Sequence, residues 1–218
     1  MNLDFSILWE YTDVLLIGAM WTVALTVCSI FFSLVLGTFL SALRLSRHVF
    51  ISAPTSFFMW FFMGTPLLLQ LYLIYFGLVH VGVDVNAFIA GVIALSLHFS
   101  VYNADIISAS IAAVSNGQHE ASRSLGLSRF QTMKTIIIPQ ALYNVAPALG
   151  NMMIALLKET SLVSIIGVME LTLSAQRAIS ETFKPFEFYF AAAALYYIAN
   201  LFLERAIHTV EMRSAKYR

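Results

Sequence analysis

Five long apolar stretches limit this chain to a small number of folds. A helix needs roughly 20 apolar residues to cross about 30 Å of hydrocarbon, and each stretch reaches or approaches that length. They comprise residues 14–43, 54–79, 86–113, 136–168 and 186–207. Because 60% of the residues are hydrophobic and only 11% are charged, a water-soluble globule would expose too much apolar surface. The sequence therefore predicts an all-α membrane protein with five transmembrane helices.

Most basic residues fall in alternate connections between these stretches. Cytoplasmic loops carry an excess of Lys and Arg, so these connections are predicted to be cytoplasmic. They hold Arg44, Arg47, Arg123, Arg129, Lys134, Arg205, Arg213, Lys216 and Arg218, against Arg177 and Lys184 in the others. This distribution predicts an outside N-terminus and an inside C-terminus, in a single domain over residues 1–218. The net charge of zero gives no indication of a nucleic-acid partner.

The second stretch is interrupted by Gly64-Thr65-Pro66. Proline lacks a backbone donor and glycine loosens a helix, so we expect a break or a kink there. Broken helices in membrane proteins often line a substrate path. A kink that serves packing alone would have the same sequence, so both interpretations stay open.

A basic, amphipathic segment at residues 116–135 separates the third and fourth stretches. Asn116 favours the start of a helix, and Gly126 favours its end. Ala121 and Leu125 would then share one face of that short helix. Because the segment is predicted to be cytoplasmic, it offers a surface on which a soluble partner can dock.

A second short helix is predicted in the same segment. Ser128 and Gln131 match a capping box at its start. Its apolar stripe would consist of Phe130, Met133 and Ile137. The pattern predicts a helix-turn-helix on the membrane surface, and a helix pair that only binds lipid is the alternative.

This segment resembles the EAA loop of ATP-binding-cassette importer permeases. The matching positions are Glu120-Ala121-Ser122, Gly126, Ile136 and Ile138-Pro139. Other motifs of the polar amino acid permease group follow in that group's order: Gly64-Thr65-Pro66-Leu67-Leu68-Leu69-Gln70, Gly117-Gln118, Pro139-Gln140-Ala141 and Leu156-Leu157-Lys158-Glu159-Thr160-Ser161-Leu162-Val163. Together the similarity covers most of the chain from Trp21 onward.

The resemblance implies a division of labour in a bacterial cytoplasmic (inner) membrane. Two permease subunits form the path, two cytoplasmic ATPases dock on their EAA helices, and an extracytoplasmic binding protein delivers a polar amino acid. The coupling residues would be Gln118, Glu120, Ala121, Arg123, Gly126 and Phe130. The chain contains no G-x-x-x-x-G-K-[ST] loop, so ATP and magnesium would be bound by the partner ATPases, and the chain itself would not be an enzyme.

Polar residues inside the spans are the candidates for the substrate site, because ionisable groups there are costly and usually face a cavity or a partner. His98, Tyr102 and Asp105 are spaced i, i+4, i+7 on one face of the third span, and Gln70 is a further candidate. Asp105 would bind an ammonium or guanidinium group. The alternatives are that Asp105 caps the helix or pairs with Lys158, that His98 donates to a carbonyl or hydroxyl, and that Tyr102 only packs.

On the fourth span the candidates are Asn151, Lys158, Glu159 and Thr160. Asn151, Lys158 and Thr160 would suit the carboxylate of an amino acid, and Glu159 a cationic group. The alternative for Lys158 and Glu159 is a structural ion pair or a contact between subunits. The spacing of these residues does not indicate a metal site.

Four charged residues follow the fourth span in a connection that is predicted to be extracytoplasmic. They are Glu170, Arg177, Glu181 and Lys184. We expect either a contact with the binding protein or a solvated helix.

The sequence departs from the family pattern at two positions where a basic residue is usual. Met63 stands before Gly-Thr-Pro in place of arginine, and residues 107–110 lack a further arginine. Because Asp105 and Glu159 remain, these losses favour a cationic amino acid. An ion-coupled carrier or channel for small polar solutes is the alternative function.

Overall fold

A computed structural model of the protein describes the backbone of residues 3–215 and the side chains of residues 3–209. This part of the chain contains helices and loops but no strand, in agreement with the predicted all-α class. The α-helices are α1 (Thr12–Arg44), α2 (Val49–Met63), α3 (Leu67–His80), α4 (Ala87–Ala112), α5 (Asn116–Ser124), α6 (Arg129–Thr132), α7 (Ile138–Glu159), α8 (Leu171–Thr182) and α9 (Pro185–Ala215). Short 3-10 segments lie at Phe5–Trp9 and Thr160–Ile166.

Four helical segments of the described chain are long and apolar enough to cross a membrane. They are Thr12–Arg44, Ala87–Ala112, Arg129–Ile166 and Pro185–Thr209. Helices α2 and α3 pass the same test together, but they are bent by 106° relative to each other. The described residues therefore hold four candidate spans, or the five that the sequence predicted if the bent pair counts as one.

The bend lies at the predicted interruption. Helix α2 ends at Met63, Gly64 occupies its C-cap, and Pro66 is the N-cap of α3 in an extended conformation. The proline ring restricts φ of Pro66 to a narrow range, disfavours the helical region in the preceding residue, and leaves no backbone N–H to donate to a preceding helical carbonyl. The predicted break is confirmed, although α2 begins at Val49 rather than residue 54, because Pro54 is accommodated inside the helix.

Helix α6 and the fourth span form one continuous helical segment. A π-helical turn at Met133–Ile137 joins α6 to α7. In a regular α-helix the Pro139 nitrogen could not donate to the Thr135 carbonyl, and its ring would clash with that carbonyl. The wider π turn relieves this conflict. The continuous helical segment begins at Arg129, seven residues before the predicted start of the fourth stretch at residue 136.

Helices α1 and α4 approach each other along small and polar residues. A Cβ atom on Gly37 would lie 2.7 Å from the Asn103 Cβ, so the approach requires glycine. Asn103 Nδ2 donates to Ser33 Oγ at 3.3 Å, and Ser108 Oγ lies 3.1 Å from Ser41 Oγ. Small residues and interhelical hydrogen bonds are the usual means of helix association in a bilayer. Helices α1 and α4 therefore form a tightly packed frame.

Glu170 is not a solvated surface residue, so that expectation was wrong. Its side chain is fully buried and caps the N-terminus of α8, accepting from the backbone nitrogens of Thr172 at 3.0 Å and Leu173 at 2.9 Å. The Tyr196 hydroxyl of α9 also donates to it at 2.6 Å. Burial raises the pKa of the Glu170 carboxyl, while these hydrogen bonds oppose the rise. Glu170 thus joins α8 to α9.

The other three charged residues of this region behave differently. Arg177 and Glu181 are exposed, and Glu181 accepts from the Tyr11 hydroxyl at 2.9 Å. This hydrogen bond raises the pKa of Tyr11. Lys184 Nζ pairs with Asp4 Oδ2 at 2.9 Å. The segment before α1 therefore lies against the connection between α8 and α9.

Candidate functional site

Gln70 fixes the backbone at the bend between α2 and α3. Its Nε2 atom donates to the carbonyl oxygens of Phe62 at 2.8 Å and Thr65 at 3.1 Å, and it lies 2.7 Å from Thr65 Oγ1. The Gln70 side chain is buried. The freed carbonyls at a helix break need such a partner inside a membrane. Gln70 therefore supplies the hydrogen bonds that the break removes.

His98 and Tyr102 of α4 lie against this bend. His98 Nδ1 lies 3.0 Å from Gln70 Oε1, so the imidazole donates to the amide oxygen if Nδ1 carries the proton. The His98 and Tyr102 rings are 5.1 Å apart, and the Tyr102 hydroxyl donates to the Met63 carbonyl at 3.5 Å. Three predicted site residues, Gln70, His98 and Tyr102, are thus brought together. The expected acceptor of His98, a backbone carbonyl or hydroxyl, is instead a side-chain amide.

Asp105 forms an ion pair with Arg44 at the C-terminus of α1. The predicted alternative, a pair with Lys158, was therefore wrong. Arg44 and Asp105 line a cleft of about 420 Å³ whose other wall is α2, including Trp60 and Met63. The sequence predicts only that Arg44 lies on the cytoplasmic side. A signal was present, because a basic residue ending one span can meet an acidic residue near the same end of another.

The candidates on α7 lie apart from this group. Asn151, Lys158 and Glu159 are exposed, and within the described residues Lys158 and Glu159 form no ion pair with each other or with another side chain. Thr160 is fully buried, and its hydroxyl donates to the Leu157 carbonyl at 2.7 Å. The structure thus gives no direct bond between the α4 and α7 candidates.

The turn after α5 has the geometry that its sequence predicts. Gly126 has φ +76°, a left-handed conformation that side chains with a Cβ rarely adopt. Its backbone nitrogen donates to the Arg123 carbonyl at 2.9 Å, and Leu127 N donates to the Ser122 carbonyl at 3.0 Å. These two bonds define a Schellman motif, which ends a helix sharply.

The helix after this turn begins with the predicted capping box. The Ser128 hydroxyl accepts from Gln131 N at 3.3 Å, and the Gln131 side chain accepts from Ser128 N at 2.8 Å. The predicted apolar stripe, in contrast, is divided between two environments. Phe130 is 75% exposed, whereas Ile137 is fully buried. The π turn between them rotates the later residues away from the Phe130 face.

Both ends of the loop are attached to the spans by one buried cluster. Val114, Ile137 and Ala141 form its core, so the chain two residues beyond α4 packs against the start of α7. Between these ends, Gln118, Glu120, Ala121, Arg123 and Gly126 are exposed. Leu125 is 77% exposed. Leu125 is not among the predicted coupling residues, although the sequence predicts that it shares a helix face with Ala121.

The loop and the broken helix lie within the region that matches a known family. The profile of "Binding-protein-dependent transport system inner membrane component" matches residues 29–215. The chain belongs to this family. The permease is thus a membrane component of a binding-protein-dependent transport system, and the sequence prediction is confirmed at this level. Membership also decides between the two predicted functions in favour of the importer.

Individual relatives extend over nearly the whole permease. It is 36% identical over 208 residues to the probable amino-acid ABC transporter permease protein PatM of Vibrio harveyi, covering 94% of this chain and 93% of the relative. It is 37% identical over 204 residues to the arginine transport system permease protein ArtQ of Bacillus subtilis, covering 93% of each. A crystal structure of an amino acid ABC transporter with histidines superposes with a TM-score of 0.91 at 40% identity, covering 98% of this chain and 100% of the other.

Proposed function

We propose that this permease moves a polar L-amino acid from an extracytoplasmic binding protein into the cytoplasm of a bacterium. Relatives named for amino acids, arginine, glutamine and octopine support this substrate class. Alternating access would be driven by two partner ATPases, which bind ATP and magnesium. The permease would lie in the cytoplasmic (inner) membrane with its N-terminus outside and its C-terminus inside.

The observation that carries this proposal is the exposed loop that joins α4 to α7. Helix α5 presents Ala121, Leu125 and the carboxylate of Glu120 to solvent, and Phe130 is exposed beyond the turn. A large exposed apolar side chain on a polar loop is typical of a docking site. On docking, Leu125 and Phe130 would be buried in a cleft of the ATPase.

The same loop can transmit movement. Its two ends converge on the buried cluster of Val114, Ile137 and Ala141, and the turn inside it is fixed by the Schellman bonds around Gly126. A force on α5 would therefore move α4 and α7 together, as a rigid body. Closure of the two ATPase subunits would in this way move the spans that contain α4 and α7.

The polar face of α7 supports a second permease subunit. Asn151, Lys158 and Glu159 are exposed although they belong to a candidate span. Charged groups that face lipid are costly, so such residues normally face a water-filled path or another protein. A homodimeric or heterodimeric partner would cover this face and enclose the path, with the buried Thr160 at its edge.

The group formed by Gln70, His98 and Tyr102 would form a polar wall of that path. Its members are connected through the bend between α2 and α3, where a helix is already broken. A substrate that displaces the His98 contact would act directly on the hydrogen bonds of the bend. The bend would then respond to substrate during transport.

The preference for a cationic amino acid depends on Glu159 in this proposal. Arg44 already balances the charge of Asp105, which removes one of the two unpaired carboxylates that favoured a cation. Glu159 remains exposed. We propose that a carboxylate on the path selects substrates such as arginine, lysine or histidine over acidic ones.

Reconstitution of the complete complex tests this function. Tagged permease should copurify with an ATPase subunit, and proteoliposomes should accumulate radiolabelled L-arginine, L-histidine, L-glutamine or L-glutamate only with ATP and the binding protein. Competition among the four amino acids ranks the substrates. Uptake that persists without ATP, or driven by an ion gradient, would contradict the proposal.

A further inference from the structure

The cleft between α1, α2 and α4 carries one positive and one negative group in contact. We infer that it binds the head group of a free α-amino acid, with the Arg44 guanidinium on the carboxylate and the Asp105 carboxylate on the ammonium group. This inference rests on the proposed function, because the bound molecule belongs to the class that the permease is proposed to transport. The binding site lies near the end of α4 that leads into α5.

The ion pair is not needed to hold its two helices together. Helices α1 and α4 already approach to the glycine contact at Gly37 and share the hydrogen bonds of Asn103 and Ser108. The Arg44 and Asp105 side chains are 36% and 45% exposed, and exposed pairs stabilise little. The packed frame therefore holds two opposite charges in a fixed place at the edge of a cleft, which is the preorganisation that a binding site requires.

Both charged groups keep unused hydrogen-bonding capacity. The pair joins Arg44 Nη1 to Asp105 Oδ1, and within residues 3–209 neither side chain makes another hydrogen bond. A guanidinium has five N–H donors and a carboxylate has two oxygens. The remaining edge of Arg44 can take a carboxylate in a bidentate arrangement, and Asp105 Oδ2 can take an ammonium group, while the pair stays intact.

The cleft has suitable size and walls. Its volume is about 420 Å³, within the range of roughly 300–1,000 Å³ that is usual for small-ligand pockets. Apolar side chains of α2, among them Met59 and Trp60, face the ion pair across the cleft. They would cover the aliphatic part of a substrate side chain.

The cleft also adjoins the moving part of the proposed path. Met63 and Gly64 at the bend line it, and the Met63 carbonyl accepts from Tyr102. Asp105 lies one turn beyond Tyr102 on α4. The polar face that begins at His98 thus continues to the ion pair, so a substrate leaving the His98 group would meet these charges next.

Trp60 provides a direct probe of this cleft. The chain has three tryptophans, and replacing Trp9 and Trp21 with phenylalanine leaves Trp60 as the only one. The complete complex with this permease, in phosphatidylglycerol nanodiscs without ATP or binding protein, would be titrated with L-arginine and L-glutamine, and the same titration of a complex that also carries Trp60→Phe would be subtracted to remove the emission of partner subunits. We expect a saturable change in Trp60 emission with both amino acids and none with agmatine, which lacks the carboxylate.

Variants separate binding from a structural role. Arg44→Gln and Asp105→Asn should each weaken binding at least about tenfold, as expected for loss of a charged hydrogen bond. The exchange Arg44→Asp/Asp105→Arg can re-form the ion pair, but the two charges then occupy opposite positions in an asymmetric cleft. This double variant should therefore bind amino acids as weakly as the single variants do. Asp4→Asn, which breaks the other ion pair of the described residues, should leave the titration unchanged.

Three results would overturn the inference. They are wild-type affinity in the exchanged variant, equal binding of agmatine, and a Trp60 response to phosphatidylethanolamine but not to free amino acids. ATP-dependent uptake by the wild-type complex, measured in parallel, reports on the proposed function separately. If uptake occurs without a Trp60 response, amino acid binding in the cleft is refuted and the proposed transport function stands. If a Trp60 response occurs without uptake, the proposed transport function is refuted and binding in the cleft stays supported.

Discussion

Substitution of Gly126 gives the sharpest prediction about coupling, because its effect should come from backbone conformation alone. Gly126 has φ +76°, and an added Cβ would meet nothing within 4 Å. A residue with a Cβ in the left-handed region costs roughly 1–2 kcal/mol, and a β-branched residue lies toward the upper end. Gly126→Val should therefore destabilise the turn between α5 and α6 without a steric clash elsewhere.

The magnitude follows from the population of the native turn. A cost of about 1–2 kcal/mol changes a conformational ratio by a factor of about 5–30. If α5 must keep this turn to fit the ATPase, stimulation of ATPase activity by the loaded binding protein should fall by up to this factor in proteoliposomes, and by the full factor where the native turn is only marginally stable. Gly126→Asn should retain most of the stimulation, since asparagine tolerates the left-handed region better than other residues.

Gly82 offers a matched control. It has φ +84°, its added Cβ would also meet nothing within 4 Å, and Val83 N closes the turn on the Leu78 carbonyl at 2.9 Å. The turn lies between α3 and α4, away from the α5 loop. Gly82→Val should strain the backbone equally but leave stimulation near the wild-type level. Normal stimulation in Gly126→Val, or an equal loss in Gly82→Val, would refute the reasoning.

Three further substitutions test the polar contacts and the docking surface. Gln70→Leu removes the hydrogen bonds from the Gln70 amide to the Phe62 and Thr65 carbonyls, so it should lower the melting temperature and the uptake rate; the exposed variant Gln176→Leu should alter neither, and equal values for the two would contradict the assignment. Glu170→Ala removes a buried cap and should destabilise the permease by about 1–3 kcal/mol, whereas the exposed Glu181→Ala should have little effect on thermal unfolding. Phe130→Ser should weaken ATPase association measured by copurification yet keep the melting temperature, because the ring is 75% exposed; undiminished association would count against docking at this residue.

Local chemistry accounts for the parts of the fold that could be predicted. The left-handed turn at Gly126, the Ser128 capping box and the break before Pro66 each depend on residues a few positions apart, so their sequence identifies them. The apolar lengths of the spans are likewise visible without a structure. For the same reason the exposed segment from Asn116 to Gly126 could be located from sequence.

Long-range packing accounts for the parts that could not be predicted. Glu170 is buried and accepts a hydrogen bond from Tyr196, which lies 26 residues later. Asp105 meets Arg44, which lies 61 residues earlier; both stand near the same end of their spans, but that position alone does not identify which residues pair. The expected stripe from Phe130 to Ile137 failed for a different reason, since the π turn before Pro139 breaks the helical period on which the expectation relied.

Site-directed crosslinking tests the central claim, that the exposed loop docks on an ATPase, most directly. Cys28 is the only cysteine, so a Cys28→Ala permease can carry single new cysteines. Leu125→Cys is the test position, and Val81→Cys, 70% exposed beyond α3, is the control. In the assembled complex, a short bifunctional maleimide–amine reagent should join Leu125→Cys to the ATPase subunit with high yield and should not join Val81→Cys to it. Absence of the Leu125→Cys product, or an equal yield from Val81→Cys, would contradict the account.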